Sequence, residues 1–206
     1  MAKRGDVLGL AVLGLLHDSP LHGYELRKRL SATLGMFRAL SYGSLYPALR
    51  SLVQCGWIVE QQHVVREGAT TPPPLAGKRG RIVYELTADG KEHFQDALAE
   101  SGPSSWEDGD FDVRFAFFAQ LDAATRLRIL EGRRSRMRER LDNLKGSFAR
   151  SRERWDDYTL ELQRHGLDSV EREVRWLDGL IDNERRGTPG PPGPAPPSST
   201  GAPGPG

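Results

Sequence analysis

The chain has 206 residues, 37% of them hydrophobic and 28% charged, with a net charge of +1, a composition that suits one domain or two small ones with real cores. So even a balance excludes nucleic-acid binding driven by overall charge, leaving any such role to local patches. The single cysteine, Cys55, excludes an internal disulfide and a thiolate zinc cage, and the five scattered histidines (His17, His22, His63, His93, His165) form no ligand spacing, so neither a metal nor another cofactor is expected.

The chain starts with Lys3 and Arg4 ahead of an apolar run, Val7 to Leu16. His17 and Asp18 close that run where an export signal needs small residues, and ten residues cannot cross a bilayer. The run reads as a buried first helix of a cytoplasmic protein with no membrane role, with Asp6 as its N-cap. A second helix begins near "LHGYELRKRL" and places Leu26, Leu30 and Leu34 on one face. The stretch "SYGSLYPALRSLVQCGWI" follows, with Ser41 as N-cap, Gly56 as terminator and Pro47 inside the helical pattern.

Two strands are expected next, "WIVEQ" and "RIVYELT", the latter alternating Ile82, Tyr84 and Leu86 onto one face. Thr87 caps a helix through Phe94 and Leu98, and Phe111, Phe115 and Phe118 form a stripe beyond it. After the cap Asp122, positions Leu127, Leu130, Met137, Leu141, Leu144, Phe148, Trp155, Tyr158 and Leu162 keep spacings of three and four over about five heptads. Gly166 is expected to end that helix, and Asp168 with Glu171 to cap a last one carrying Val170, Val174, Leu177 and Ile181. So long a seam calls for a second copy of the chain. Residues 187–206 hold eight prolines and six glycines and cannot bury a core.

Three short helices followed by a two-stranded ribbon form the layout of a winged helix-turn-helix, whose third helix enters the major groove. At 100 degrees per residue, Tyr42, Leu45, Leu49, Leu52 and Val53 fall on one side of that helix. Gly43, Ser44, Pro47, Arg50, Ser51 and Gln54 fall on the other. The second face is small and polar, and Arg50 and Gln54 suit guanine and adenine edges; a solvated outer face is the plain alternative. Lys78, Arg79 and Arg81 surround Gly77 and Gly80 where the helix order requires a wing, and cations there can reach a backbone or minor groove.

The segments "LGLAVLGLLHDSPLHGYELRKRL", "YGSLYPALRSLVQCGWI" and "GKRGRIVYELTADGKEHF" resemble the corresponding parts of PadR-family bacterial transcriptional regulators. The likeness runs from residue 7 to about 98, and the aromatic helix at 111 to 121 resembles the start of that family's C-terminal part. It implies a mainly α fold with a small β-hairpin: an N-terminal winged helix-turn-helix over residues 1–100, then a helical, coiled-coil-like dimerisation and effector region over 108–186. It further implies a homodimer on double-stranded DNA with an inverted-repeat operator, acting as a repressor and released by a small-molecule effector. Tyr24 matches a family tyrosine placed near backbone phosphates. Tyr42, Ser44 and Arg50 match recognition-helix positions, Tyr46 and Pro47 a YP pair, and Lys78, Arg79 and Arg81 the basic wing. The wing loop, about residues 62–80, is much longer than the family's turn. Multidrug-responsive relatives hold flat ligands between aromatic residues, a role open here to Phe148, Trp155 and Trp176, against plain core packing.

No enzyme is expected, since Cys55 has no partner histidine at a motif spacing and "GKRGR" makes neither a phosphate loop nor a nucleophile elbow. Residues 126–154 hold eleven basic residues against four acidic, either an anion site or a solvated helix face. The competing reading of the whole chain is a helical sensor or protein-interaction module of winged-helix fold that no longer binds DNA.

Overall fold

The computed structural model describes residues 4–34, 42–62, 82–151 and 154–187. Contacts divide the chain into two compact units, Met1–Arg136 and Met137–Gly206.

In the first unit α1 (Arg4–Asp18) is the central element, packed by α2 (Gly23–Leu34), α3 (Tyr42–Gln54), α4 (Ala88–Ala99), α5 (Asp108–Ala116) and a strand. Such a helix must be apolar on every side: Leu8, Leu10, Ala11, Val12, Leu13 and Leu16 are all buried. The helix starts at Arg4, so Asp6 lies inside its first turn rather than capping it. Leu26 and Leu30 of α2 reach the same core.

The expected two-strand ribbon is a three-stranded antiparallel sheet. A two-residue β1 (Leu21–His22) pairs with β3 (Ile82–Leu86), which pairs on its other side with β2 (Ile58–Gln62), giving the order β1-β3-β2. Strand β1 is too short to show any alternation, so only its pairing reveals it. Tyr84 and Leu86 of β3 face inward and are buried, as their spacing requires.

The turn from α3 into β2 is a helix terminator with Gly56 in the left-handed region (φ 76°). Trp57 N–H donates to Leu52 O and Gly56 N–H to Val53 O, each at 3.0 Å, the paired bonds of a Schellman motif. Thr87 ties this turn to α4: its hydroxyl donates to Gly56 O (2.8 Å) and accepts from Gly90 N–H (2.9 Å), as the N-cap of α4.

Helix α5 belongs to this unit by packing. The Phe117 ring just beyond it lies where a Cβ on Gly14 would stand, and meets Phe94 edge-on at 5.7 Å. Arg114, almost fully buried, pairs with Asp110 at 3.2 Å and donates to the carbonyls of Ala97 and Leu98. The expected stripe forms, with Phe111, Phe115 and Phe118 in mutual ring contact.

Helix α6 (Ala123–Ser151) opens on Asp122, which accepts from Thr125 N–H at 2.9 Å. In the second unit its last turns run antiparallel to α7 (Asp157–Arg185). Arg138–Asp178 (3.0 Å) and Lys145–Glu171 (2.8 Å) fix the register, seven residues on along one helix for seven back along the other. Met137, Val170, Val174, Leu177, Leu180 and Ile181 are buried.

This corrects the expected helix boundary. Helix α7 runs unbroken through Gly166 and Asp168, and the interruption lies earlier, at Asp156, which accepts from Tyr158 and Thr159 N–H at 3.0 Å. One interior glycine costs only about 1 kcal/mol, less than a 29-residue helix gains from its buried face. The nine-residue seam is therefore not one helix: Trp155 sits in the turn, and Tyr158 and Leu162 are 90% and 66% exposed.

Candidate nucleic-acid interface

Helix α3 is assigned without a break from Tyr42 to Gln54, Pro47 included. Leu45, Leu49 and Leu52 are buried beneath it, while Ser44, Pro47, Arg50, Ser51 and Gln54 are exposed on its outer side. The two faces separate as the helical count requires. Ser44, Arg50 and Gln54 thus share one small polar surface, and the helix starts with Tyr42. Tyr46, 39% exposed, stands at the edge of that surface. A Cβ on Gly23 would lie 3.8 Å from its Cε1 and 3.9 Å from its hydroxyl, so Tyr46 packs on the start of α2. Tyr24, the next residue of α2, is 70% exposed. The start of α2 and the outer edge of α3 are therefore neighbours.

Lys78, Arg79 and Arg81 lie outside the described residues, as does the extended wing loop beyond Gln62. The wing's base is described. At its C-terminal side, Gly90 lets α4 approach the α3–β2 turn so closely that a Cβ would stand 1.9 Å from Trp57 O. Behind the turn, the Trp57 and His93 rings stack at 3.5 Å with 12° between their planes. Sequence reasoning found the Thr87 cap but missed Gly90, since nothing local marks a glycine needed for a neighbour's backbone.

Of the aromatic trio, Phe148 and Trp155 meet edge-on at 5.8 Å. Trp176 does not join them by register: Lys145 opposite Glu171 puts Phe148 level with Asp168, eight residues or about 12 Å along α7. At least four of the nine cations of α6 are matched by acids. Besides Arg138 and Lys145, Arg136 meets Glu107 at 2.6 Å and Arg133 meets Asp108 at 2.7 Å. The bond from Lys145 and its charge hold the Glu171 carboxyl below its ordinary value. Among the described residues no helix is long and apolar enough to cross a membrane, and no three His, Cys, Asp or Glu residues are grouped to hold a metal.

Residues 12–96, which contain both helices of this surface, match the transcriptional regulator PadR-like family. That part of the chain is similar to the PadR-like transcriptional regulators. The negative transcriptional regulator PadR of Bacillus subtilis is 23% identical over 184 residues, spanning 85% of this chain and 96% of that protein. Among solved structures, Bacillus subtilis PadR in complex with operator DNA is 22% identical with a TM-score of 0.39, covering 86% of this chain and 99% of that one. The same protein with p-coumaric acid is 21% identical at a TM-score of 0.39, covering 87% and 99%. Protein smu.1604c from Streptococcus mutans UA159 is 22% identical at a TM-score of 0.39, covering 84% and 98%. Within the matched residues β1 completes the three-stranded sheet, and α3 is the third helix of the chain.

Proposed function

We propose that the chain is a cytoplasmic homodimer that binds an inverted-repeat operator through two copies of α3 and represses transcription until a small molecule releases it. The observation that carries this reading is the outer face of α3. A helix rigidly seated on Leu45, Leu49 and Leu52 offers Ser44, Arg50 and Gln54 to solvent, with the small Pro47 among them. Such a surface lets the helix approach a groove closely, with one bidentate donor for guanine and one amide for adenine. In this reading Tyr24 and Tyr42 are further DNA contacts, and Lys78, Arg79 and Arg81 supply the wing. The PadR-like match supports the regulatory role, and the relative's description as a negative regulator supports repression. Residues 1–100 are the DNA-binding part in this reading and 108–186 the dimerisation and effector part. The Phe148–Trp155 pair is the aromatic site a flat effector would meet first.

Two recognition helices in a dimer should stand one turn of DNA apart, about 34 Å. A gel shift with the DNA upstream of the protein's own gene tests the reading. Arg50→Ala should weaken binding by about 1–3 kcal/mol and relax sequence preference. If the wild-type protein shifts neither this duplex nor a random one, the sensor reading without DNA binding replaces it.

A further inference from the structure

Helix α3 joins the sheet through Cys55, Gly56 and Trp57. A Cβ on Gly56 would meet nothing within 4 Å, and glycine moves readily between backbone regions, so the direction of this joint depends on what holds Trp57. Its N–H donates to Leu52 O of α3 at 3.0 Å, and its carbonyl accepts from the Thr87 N–H and hydroxyl, each at 3.1 Å. The bonds from Thr87 meet at one point, the cap of α4. The Trp57 side chain adds an anchor elsewhere, stacking on His93 with 3.5 Å between ring centroids and 12° between planes. His93 lies six residues beyond Thr87, about 9 Å along α4. Attachments that far apart fix a direction as well as a position.

We propose that the Trp57–His93 stack sets the tilt of α3, which makes His93 a positioning residue for base reading, acting through Trp57 rather than by contact with DNA. The inference rests on the DNA-binding reading above and adds to it a determinant of specificity outside the polar face. Leu45, Leu49 and Leu52 hold α3 on the core, but apolar burial is non-directional. Face-to-face rings are directional, since rotating either one breaks the contact. The stack also stands apart from the core that confers stability: Trp57 and His93 are half-buried, whereas their chain neighbours Ile58 and Phe94 are at most 1% exposed. With 13 residues, α3 is about 20 Å long, so a tilt of about 10° at Trp57 would carry its Tyr42 end some 3 Å and Gln54 less than about 1 Å. A shift of that size is a hydrogen-bond length, enough to spoil base contacts. Attraction to phosphates, which acts over about 10 Å, would hardly change.

The test compares the affinity of the full chain for the duplex upstream of its own gene with that for a random-sequence duplex, in one buffer. His93→Ala should lower the ratio of the two affinities about tenfold, as loss of one base contact does, while affinity for the random duplex stays the same. His93→Phe, which keeps a flat ring on Trp57, should restore the ratio. Trp57→Leu should lower it by the same factor as His93→Ala, and the double variant no further, because both remove one contact. Leu121→Ala, which trims another partly buried side chain at the edge of the same core, should lower Tm and leave the ratio as it is. An unchanged ratio for His93→Ala, or an equal fall for Leu121→Ala, would overturn the positioning role. So would a folded His93→Phe protein that fails to restore the ratio. Arg50→Ala still relaxing sequence preference would in those cases leave the DNA-binding reading standing. A wild-type protein that shifts neither duplex would remove both.

Discussion

Gly90→Ala should destabilise the protein, against the ordinary helix rule. Within a helix the change normally gains about 1 kcal/mol. Here the new Cβ would stand 1.9 Å from the Trp57 carbonyl oxygen and 2.8 Å from its carbon, where favourable contacts need about 3.5 Å. The obstacle is backbone pinned on both sides. Trp57 O accepts from Thr87 N–H at 3.1 Å, and Trp57 N–H donates to Leu52 O. Overpacking of this kind costs about 1–3 kcal/mol, at the upper end when no side chain can swing aside. Subtracting the propensity gain leaves a net loss of about 2 kcal/mol, or a Tm about 4–8 °C lower for a chain of this size. Gly166→Ala is the matched control: Gly166 lies inside α7 with nothing within 4 Å, and the substitution should raise Tm by about 2–4 °C. Thermal and urea unfolding followed by circular dichroism measure both. If Gly90→Ala raises Tm as Gly166→Ala does, the α4–turn contact is not the constraint described here.

Arg114→Ala removes the buried cation that pairs with the Asp110 carboxylate and donates to the Ala97 and Leu98 carbonyls, and should cost about 3–5 kcal/mol in urea unfolding, part of it recovered when Asp110→Ala is added. Asp156 is held below its usual 3.8 by bonds from the Thr159 hydroxyl, then Thr159 and Tyr158 N–H. Its stabilisation of α7 is therefore full above pH 3.8 and lost as pH falls through the lower folded value. An acid titration of helical content should show that loss, and Asp156→Ala should flatten it. In the DNA-binding reading, replacing Arg79 and Arg81 together should lower the salt slope by about 1.8 on every sequence; an unchanged slope would refute the wing assignment.

Elements with a strong period were legible in the sequence. The two faces of α3, the inward set Ile82, Tyr84 and Leu86, the stop at Gly56 and the cap at Thr87 each depend on residues within a turn or two of one another, and the structure places them as read. Longer-range features were not. Strand β1 exists only through β3, and the importance of Gly90 exists only through Trp57. The heptad count ran through Trp155 because spacing alone cannot separate one helix from two that happen to be in phase. The decisive signal was Asp156 with Thr159, a D-x-x-T cap that the apolar period obscured. Gly166 resembles a stop because glycine commonly ends helices, yet φ there takes no left-handed value. The polar face of α3 was visible from the start, whereas its continuity with α2 required the Tyr46–Gly23 contact.

Pro47 shows how packing and local preference divide the work in α3. At the sixth residue of the helix it removes the bond its N–H would make to Gly43 O and crowds that carbonyl, at a cost of about 3 kcal/mol. Left to local preference the helix would end there. It continues because Leu45, Leu49 and Leu52, at most 4% exposed, straddle the proline and contribute about 1.5–3 kcal/mol each on burial. The core therefore holds the helix across a residue that weakens it, and the weakening faces outward. A purely structural helix would be more stable with alanine at that position. What proline adds is a short, rigid side chain beside Ser44 and Ser51 on the exposed surface, which keeps that surface low between Arg50 and the Tyr46 edge. The stability given up at position 47 is thus best accounted for by close approach of the α3 surface to a partner, and the residues around it are those that suit the floor of a DNA groove.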